Sequence, residues 1–256
     1  GALVINAPFK RNFLKHFFLL RKVIKSNKIQ IVQTQFSFGE ILSLLCKIID
    51  KNIKVINSFV GTTKPNLFKR IILNIPYFFV DQFVYVSKYV KKEKEKQFPI
   101  MIKKKSIVIY NGTQKRESFD KKTLPNKKFN LLSIGGLIDV KNFDIIIEMM
   151  KILKNENEFH LTIIGEGPNE KKIKSKIVKY KLDNCVSLIG YKSNIGDYLN
   201  CCDIYLHPAY AEGFGIAIIE AMLASKPVIV SNKGASIEII TDNINGKIAS
   251  FKDSKQ

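Results

Sequence analysis

Two carboxylates and a cluster of glycines stand out in the sequence as candidates for binding and catalysis. They fall in the stretch 207–246, HPAYAEGFGIAIIEAMLASKPVIVSNKGASIEIITDNING. Glu212-Gly213-Phe214-Gly215 lies at its centre, followed by an apolar run that opens at Ile216 and carries Glu220. Gly213 and Gly215 have no Cβ, so a ligand can approach the backbone closely there. Free amides at a helix start attract an anion, and the helix dipole adds to the pull. Glu212 and Glu220 stand eight positions apart. At the helical rise per residue this is roughly 12 Å, which suits two ends of one extended ligand rather than a shared proton. Two solvated acids on a surface helix are the plain alternative.

The elements around the motif are legible in the hydropathy pattern. Residues 203–206 read as a buried strand, 216–224 as a helix and 227–230 as the next strand, which puts Glu212 and the glycines in a strand-to-helix loop. Upstream come a strand at 130–134, the loop Gly135-Gly136, a helix at 140–153, a strand at 160–164, a helix from Asn169, a strand at 186–189 and a short helix at 195–201. Gly165-Glu166-Gly167 is followed by Pro168 and does not close a dinucleotide fingerprint, so no nicotinamide site is read there. The first half alternates in the same way. Strands are expected at 2–6, 29–35, 53–58, 83–87 and 107–109, the last running into an Asn111-Gly112 turn. Helices are expected at 11–28, 38–51, 67–79 and 88–97, the third bent or ended by Pro76. Gly61-Thr62-Thr63 follows a strand at its carboxyl end, where open α/β sheets bind ligands. A polar, Lys-rich linker spans 113–128. The alternation predicts an α/β protein with parallel sheets in two domains, 1–115 and 116–256.

Composition narrows the partners. The 256 residues are 46% hydrophobic, enough for two cores. Cys46, Cys185, Cys201 and Cys202 show no metal spacing and read as reduced small hydrophobes of a cytoplasmic protein. His16 reads as solvated and His160 as packed in its strand. No apolar run reaches the roughly 20 residues of a spanning helix. The net charge of +20 is uneven: residues 1–115 hold 22 Lys and Arg against 5 Asp and Glu, and residues 116–256 hold 20 against 17. With 38 Lys and 4 Arg, base composition accounts for the choice of Lys but not for the asymmetry. The helix at 11–28 sets Leu14, Phe17 and Phe18 among Lys15, Arg21, Lys22 and Lys25, as either a core-facing helix or a basic docking helix. Arg forks on a recognisable module are missing, so the basic half favours an anionic membrane surface over nucleic acid.

The string Glu212…Glu220, with EGFG, EAM and the following Pro227-Val228-Ile229-Val230, resembles the donor site of retaining glycosyltransferases of family 4, the glycosyl transferases group 1. The resemblance covers residues 130–249 closely and the first half more loosely. It implies the GT-B architecture, two Rossmann-like domains facing a cleft, with the acceptor on the side of 1–115 and the nucleotide-sugar donor on the side of 116–256. It implies that Glu212 is the catalytic residue beside the donor sugar and that Glu220 binds the ribose. Gly135, Gly136, Lys141, Gly213, Phe214, Gly215 and Ile216 complete the implied substrate-binding set. The implied reaction moves a hexose, with retention, from a nucleotide diphosphate sugar to a hydroxyl of a saccharide or lipid-linked acceptor, in cell-surface polysaccharide or glycolipid synthesis. Helix amides and Lys141 would neutralise the leaving diphosphate, so neither a metal nor a cofactor is expected, and the location is the inner face of the membrane. A degenerate donor domain that scaffolds a partner transferase and a GT-B nucleotide-sugar epimerase are the alternatives. Three departures bear on them. Gly136 stands where the family carries an Arg before Lys141; no His follows the second or third strand, where Gln33, Gln35 and Val60-Gly61 stand; and the chain starts after the family's first strand and stops before its last helices, as a fragment or a shortened relative would.

Overall fold

The computed structural model describes residues 13–35, 37–115, 124, 129–156 and 158–250. The strand expected at 2–6, the first residues of the helix expected from 11 and most of the linker beyond 115 lie outside them. The chain divides into two compact units, Gly1–Ile109 and Tyr110–Gln256.

In the first unit α1 (Phe13–Ser26), β1 (Ile31–Thr34), α2 (Ser37–Ile49), β2 (Lys54–Phe59), α3 (Leu67–Phe79), β3 (Gln82–Tyr85), α4 (Lys88–Gln97) and β4 (Lys105–Val108) follow in order. The strands pair β1-β2-β3-β4, all parallel. Ser87 caps α4 by accepting from the Val90 amide at 3.0 Å, which ends β3 and starts the helix. Pro76 does not end α3. Proline removes one helical hydrogen bond, but the turn that follows is held from inside. Tyr77 is buried edge-on against Phe59, Phe83 and Phe98, and its hydroxyl donates to Glu40 at 2.9 Å. The expected turn at Asn111-Gly112 is absent: residues 109–115 are irregular, and Gly112 is not among the positive-φ glycines.

The second unit holds β5 (Phe129–Ile134), α5 (Phe143–Leu153), β6 (Phe159–Ile164), α6 (Glu170–Lys179), β7 (Val186–Leu188), α7 (Ile195–Cys201), β8 (Ile204–His207), α8 (Ile216–Leu223), β9 (Val228–Ser231), α9 (Ser236–Ile239) and β10 (Lys247–Ala249). Its parallel sheet runs β10-β9-β8-β5-β6-β7. This is a doubly wound, Rossmann-like order, and its direction of winding reverses between β5 and β8, so their carboxyl ends flank the crevice where such sheets take ligands. Leu131, Leu161 and Ile163 pack on α5 and α6, while Leu132, Tyr205 and Val230 pack with Leu199 of α7 and Ile218 of α8. Burying each large aliphatic side chain stabilises the unit by about 1.5–3 kcal/mol.

Two expectations about the motif loops are corrected. The helix expected at 140–153 begins only at Phe143, because Asn142 adopts a left-handed conformation (φ 55°, ψ 38°) after a single 3-10 turn, Asp139–Lys141. Lys141 therefore sits in the loop after β5. Likewise α8 begins at Ile216, so Glu212 precedes the helix that carries Glu220 and the helical spacing of roughly 12 Å does not apply. The four cysteines are free, as expected, and His160 is packed, its Nε2 lying 2.9 Å from Ser187 Oγ. Among the described residues no helix is long and apolar enough to cross a membrane.

Candidate functional site

Side chains two apart on a strand share a face, and on β8 this aligns two buried polar groups, Tyr205 and His207. The Tyr205 hydroxyl lies 3.4 Å from the Ile134 carbonyl oxygen at the end of β5 and 3.3 Å from His207 Nδ1. His207 Nε2 lies 3.0 Å from Glu212 Oε2, and Lys141 Nζ donates to that same oxygen. The row therefore crosses the crevice between β5 and β8 and ends in an ion pair.

Protonation follows from the surroundings. Burial pushes the His207 pKa below its ordinary value, and the neighbouring Glu212 carboxylate only partly opposes this. For Glu212, burial acts to raise the pKa, but the His207 hydrogen bond and the Lys141 charge outweigh it and bring it down to about 2. At neutral pH the carboxylate is thus ionised and only accepts hydrogen bonds. The neutral imidazole must place its proton on Nε2, facing Glu212, and Nδ1 faces the Tyr205 hydroxyl, whose own proton points to the Ile134 carbonyl. Burial, reinforced by the charges of Glu212 and Glu220, keeps Tyr205 protonated.

The loop 208–215 is fixed from behind. The Ala235 amide donates to the Glu212 carbonyl at 2.9 Å. Gly234 is at φ +71°, and a Cβ there would stand 2.6 Å from the Glu212 nitrogen, so only glycine lets this chain approach so closely. Gly215 at φ +105° makes the left-handed entry into α8, and a Cβ there would stand 2.7 Å from Ile218 Cδ1. The turn leaves Ile216 half-exposed at the helix start, where unpaired amides carry positive potential.

The expected residues thus separate into groups. Glu212 and Lys141 meet, and the Lys141 stem passes Gly135, where an added Cβ would be 3.5 Å from its Cδ. At Gly136 an added Cβ meets nothing nearer than the Glu166 carbonyl oxygen at 3.8 Å, so the backbone leaves room for a side chain. Phe214 is buried and stacks on Tyr110, ring centroids 5.6 Å apart, which makes its side chain a packing element of the loop. Gly213 lies between Glu212 and Phe214 in that loop. Glu220 is buried on α8 and accepts from the Thr113 hydroxyl at 3.4 Å. His207, Tyr205, Gly234 and Thr113 escaped sequence reading. Two polar residues on one face at the carboxyl end of an apolar strand, Tyr205 and His207, were the available signal.

This arrangement holds a fixed negative charge beside a largely buried cation and a helix start. Such a pairing can stabilise positive charge developing on one part of a ligand and negative charge on another.

Residues 114–256 match the family model described as Glycosyl transferases group 1. An uncharacterized glycosyltransferase of Methanocaldococcus jannaschii is 33% identical over 171 residues, 66% of this chain and 45% of that protein. The N,N'-diacetylbacillosaminyl-diphospho-undecaprenol alpha-1,3-N-acetylgalactosaminyltransferase of Campylobacter jejuni is 26% identical over 264 residues, 94% of this chain and 69% of that protein. The chain spans about half the length of the first of these relatives. Among solved structures, Anabaena HepE in complex with UDP and glucose superposes with a TM-score of 0.76 at 18% identity, covering 98% of this chain and 72% of that one. Sucrose-phosphate synthase from Thermosynechococcus elongatus superposes with 0.81 at 15% identity, covering 99% and 69%. At such identities these likenesses bear on the fold, which is GT-B. With its family model matched over more than half of its residues, the chain belongs to the glycosyl transferases group 1.

Proposed function

We propose that the protein is a retaining glycosyltransferase of family 4 that moves a hexose from a nucleotide diphosphate sugar to an acceptor hydroxyl. The observation that carries this reading is the Lys141–Glu212–His207 cluster at the switch point of the second sheet, beside the amides that open α8. In the reaction the bond from the anomeric carbon to the diphosphate oxygen breaks, the acceptor oxygen takes its place on the same face of the sugar, and the acceptor's hydroxyl proton passes to the leaving diphosphate. Glu212, ionised and pinned by two donors, sits beside the sugar and stabilises the positive charge that develops at the anomeric carbon. Lys141 and the amides at Gly213, Gly215 and Ile216 receive the leaving diphosphate, so the chemistry calls for no metal. Glu220 receives the ribose hydroxyls in place of the Thr113 hydroxyl. Residues 116–256 thus act as the donor domain and 1–115 as the acceptor side.

The acceptor is a saccharide or a lipid-linked saccharide. The name of the Campylobacter jejuni relative, which carries a diphospho-undecaprenol group, favours the lipid-linked form. The protein then works in cell-surface polysaccharide or glycolipid synthesis, at the cytoplasmic face of the membrane, and its basic first half faces the anionic surface. Uridine diphosphate is the first nucleotide to test, because HepE has been solved with UDP. Calorimetry with nucleotide diphosphates followed by transfer assays with the matching sugars tests the reading. Transfer with the anomeric configuration kept is the expected result. Inversion overturns retention, and binding without transfer favours the scaffold, a reading that Gly136 supports by leaving the diphosphate one cation short.

A further inference from the structure

Among the described residues the most unusual surface is the outer side of α3. Its inner side is fully used: Leu73 and Tyr77 are buried against the first sheet, and Tyr77 bonds Glu40. On the outer side Leu67, Phe68, Ile71, Ile75 and Phe78 are 59–74% exposed, with Ile72 and Phe79 beside them. At about 100° per residue all seven fall within an arc of about 140°, and Arg70 falls outside it. An uncharged stripe thus runs the whole of a 13-residue helix, roughly 20 Å. Scattered exposed apolar residues need no explanation, but a contiguous stripe of this size on a soluble surface does.

The stripe ends in positive charge. Lys104 Nζ sits 5.0 Å above the Phe78 ring and donates to the Phe78 carbonyl oxygen. Lys103, Lys104 and Lys105 border, with Phe78 and Phe79, an open cavity of about 700 Å³. Its only acid, Asp81, is already paired with Lys47 and Lys54, which also line it, so it does not offset the three lysines. An apolar face long enough to lie in a bilayer interface, closed at one end by lysines, is complementary to anionic lipid, with acyl chains against the stripe and headgroup phosphates against the cations.

We propose that α3 is the element that docks this protein on an anionic phospholipid surface, its stripe entering the acyl boundary and Lys103, Lys104 and Lys105 holding headgroup phosphates. The proposal rests on the reading of the protein as a peripheral enzyme, and it assigns the contact to α3 rather than to the basic helix α1.

The sequence has no Trp, so Phe68→Trp places a single reporter on the stripe and Leu14→Trp places one on α1. With vesicles of phosphatidylcholine and phosphatidylglycerol at 3:1, the Phe68→Trp emission is expected to shift to the blue, Leu14→Trp to stay unchanged, and pure phosphatidylcholine to shift neither. The triple variant Phe68→Ser, Ile71→Ser, Ile75→Ser is expected to sediment with the anionic vesicles at least tenfold more weakly, with its melting temperature and nucleotide diphosphate affinity unchanged. Changing Lys103, Lys104 and Lys105 to Gln is expected to remove the salt dependence of binding. A wild-type chain that sediments with anionic vesicles while Phe68→Trp stays silent, or while Leu14→Trp shifts instead, overturns the role of α3 and leaves the peripheral reading standing. A wild-type chain that sediments with neither vesicle overturns both. A triple variant that changes only self-association assigns the stripe to a second copy and likewise overturns the proposal.

Discussion

The two parallel sheets end very differently. At the carboxyl end of the second sheet, the strands β5 and β8 present an ion pair and a neutral histidine, Lys141, Glu212 and His207. At the carboxyl end of the first, β1 and β2 present neutral groups: Thr34 donates to Asn57 at 2.8 Å and Gln33 to Ser58 at 2.7 Å. The pairing of strands is alike, parallel and in simple register, so the fold does not account for the contrast. It teaches that a doubly wound sheet supplies only the place, while its charge comes from a few loop residues, which in the proposed reading meet the leaving diphosphate. A site for a neutral sugar hydroxyl has no need of that charge.

The largest effect is expected where the comparison puts the chemistry. Glu212→Gln keeps the shape of the loop and removes the charge, so turnover should fall about 10²–10³-fold while nucleotide affinity stays within about threefold. Steady-state kinetics with calorimetry checks this, and an unchanged turnover would reduce Glu212 to a helix-start acid worth about 0.3–1 kcal/mol. Glu220→Ala should act on the other parameter. Two charged hydrogen bonds to a ribose contribute about 3 kcal/mol or more, so the nucleotide diphosphate should bind at least about a hundredfold more weakly. Unchanged affinity removes the ribose assignment and leaves Glu220 as a partner of Thr113.

The same cluster sets a pH dependence of stability. Glu212 has its folded pKa lowered to about 2 from an ordinary 4.5, so its contribution is full above 4.5 and is lost as pH falls toward 2. His207 is also lowered, from 6.5, so the folded state resists its protonation and the second unit loses stability as pH falls below 6.5. Both signs agree: stability declines on acidification from about pH 6.5, by roughly 3 kcal/mol for the Glu212 share alone. Glu212→Gln should flatten the lower part of this decline in denaturant titrations, and His207→Gln the upper part. An equal decline in all three proteins would place the acid sensitivity elsewhere.

Gly136→Arg widens the contrast between the sheets, by adding charge to the second. A Cβ added at Gly136 would stand 3.8 Å from the Glu166 carbonyl oxygen, an ordinary contact, so the loop itself does not forbid a side chain. One more charged hydrogen bond to the diphosphate should tighten nucleotide binding about tenfold. No gain by calorimetry would show that the space is closed once ligand is bound.

How much of this was legible in the sequence varies with the physics involved. Most element types were, with boundaries mostly within about two residues, because buried parallel strands and amphipathic helices differ in period; α3, α4 and α7 match the reading from 67–79, 88–97 and 195–201, while α9 and β10 were not read. Positions set by a single backbone angle were not. Asn142 turns left-handed and takes Lys141 out of its helix, and Pro76 stays inside α3 because Tyr77 is packed on three rings. Glu212, Gly215 and Glu220 were legible through their motif, but the Glu212 partner His207 was not, since a strand-end histidine acquires its role only when the loop after it folds back. The stripe on α3 was invisible for a similar reason: apolar residues on both sides of a helix say nothing about which side the sheet takes.

The smallest effect is expected on the neutral sheet. Gln33→Leu removes the donor to Ser58, a part-buried pair of uncharged groups across β1 and β2. Such a bond contributes about 1 kcal/mol, and the Ser58 hydroxyl can turn to another acceptor. The first unit should lose about that much stability in urea. Nucleotide affinity should not change, because Gln33 lies in the first unit and the residues proposed to bind the nucleotide lie in the second. At saturating acceptor the turnover should stay within about twofold of the parent chain, with any change confined to the acceptor KM. A collapse of turnover comparable to that of Glu212→Gln would break the comparison itself. It would mean that a neutral amide at the end of β1 touches the reacting atoms, and that the acceptor hydroxyl is activated from the first sheet rather than by the leaving diphosphate.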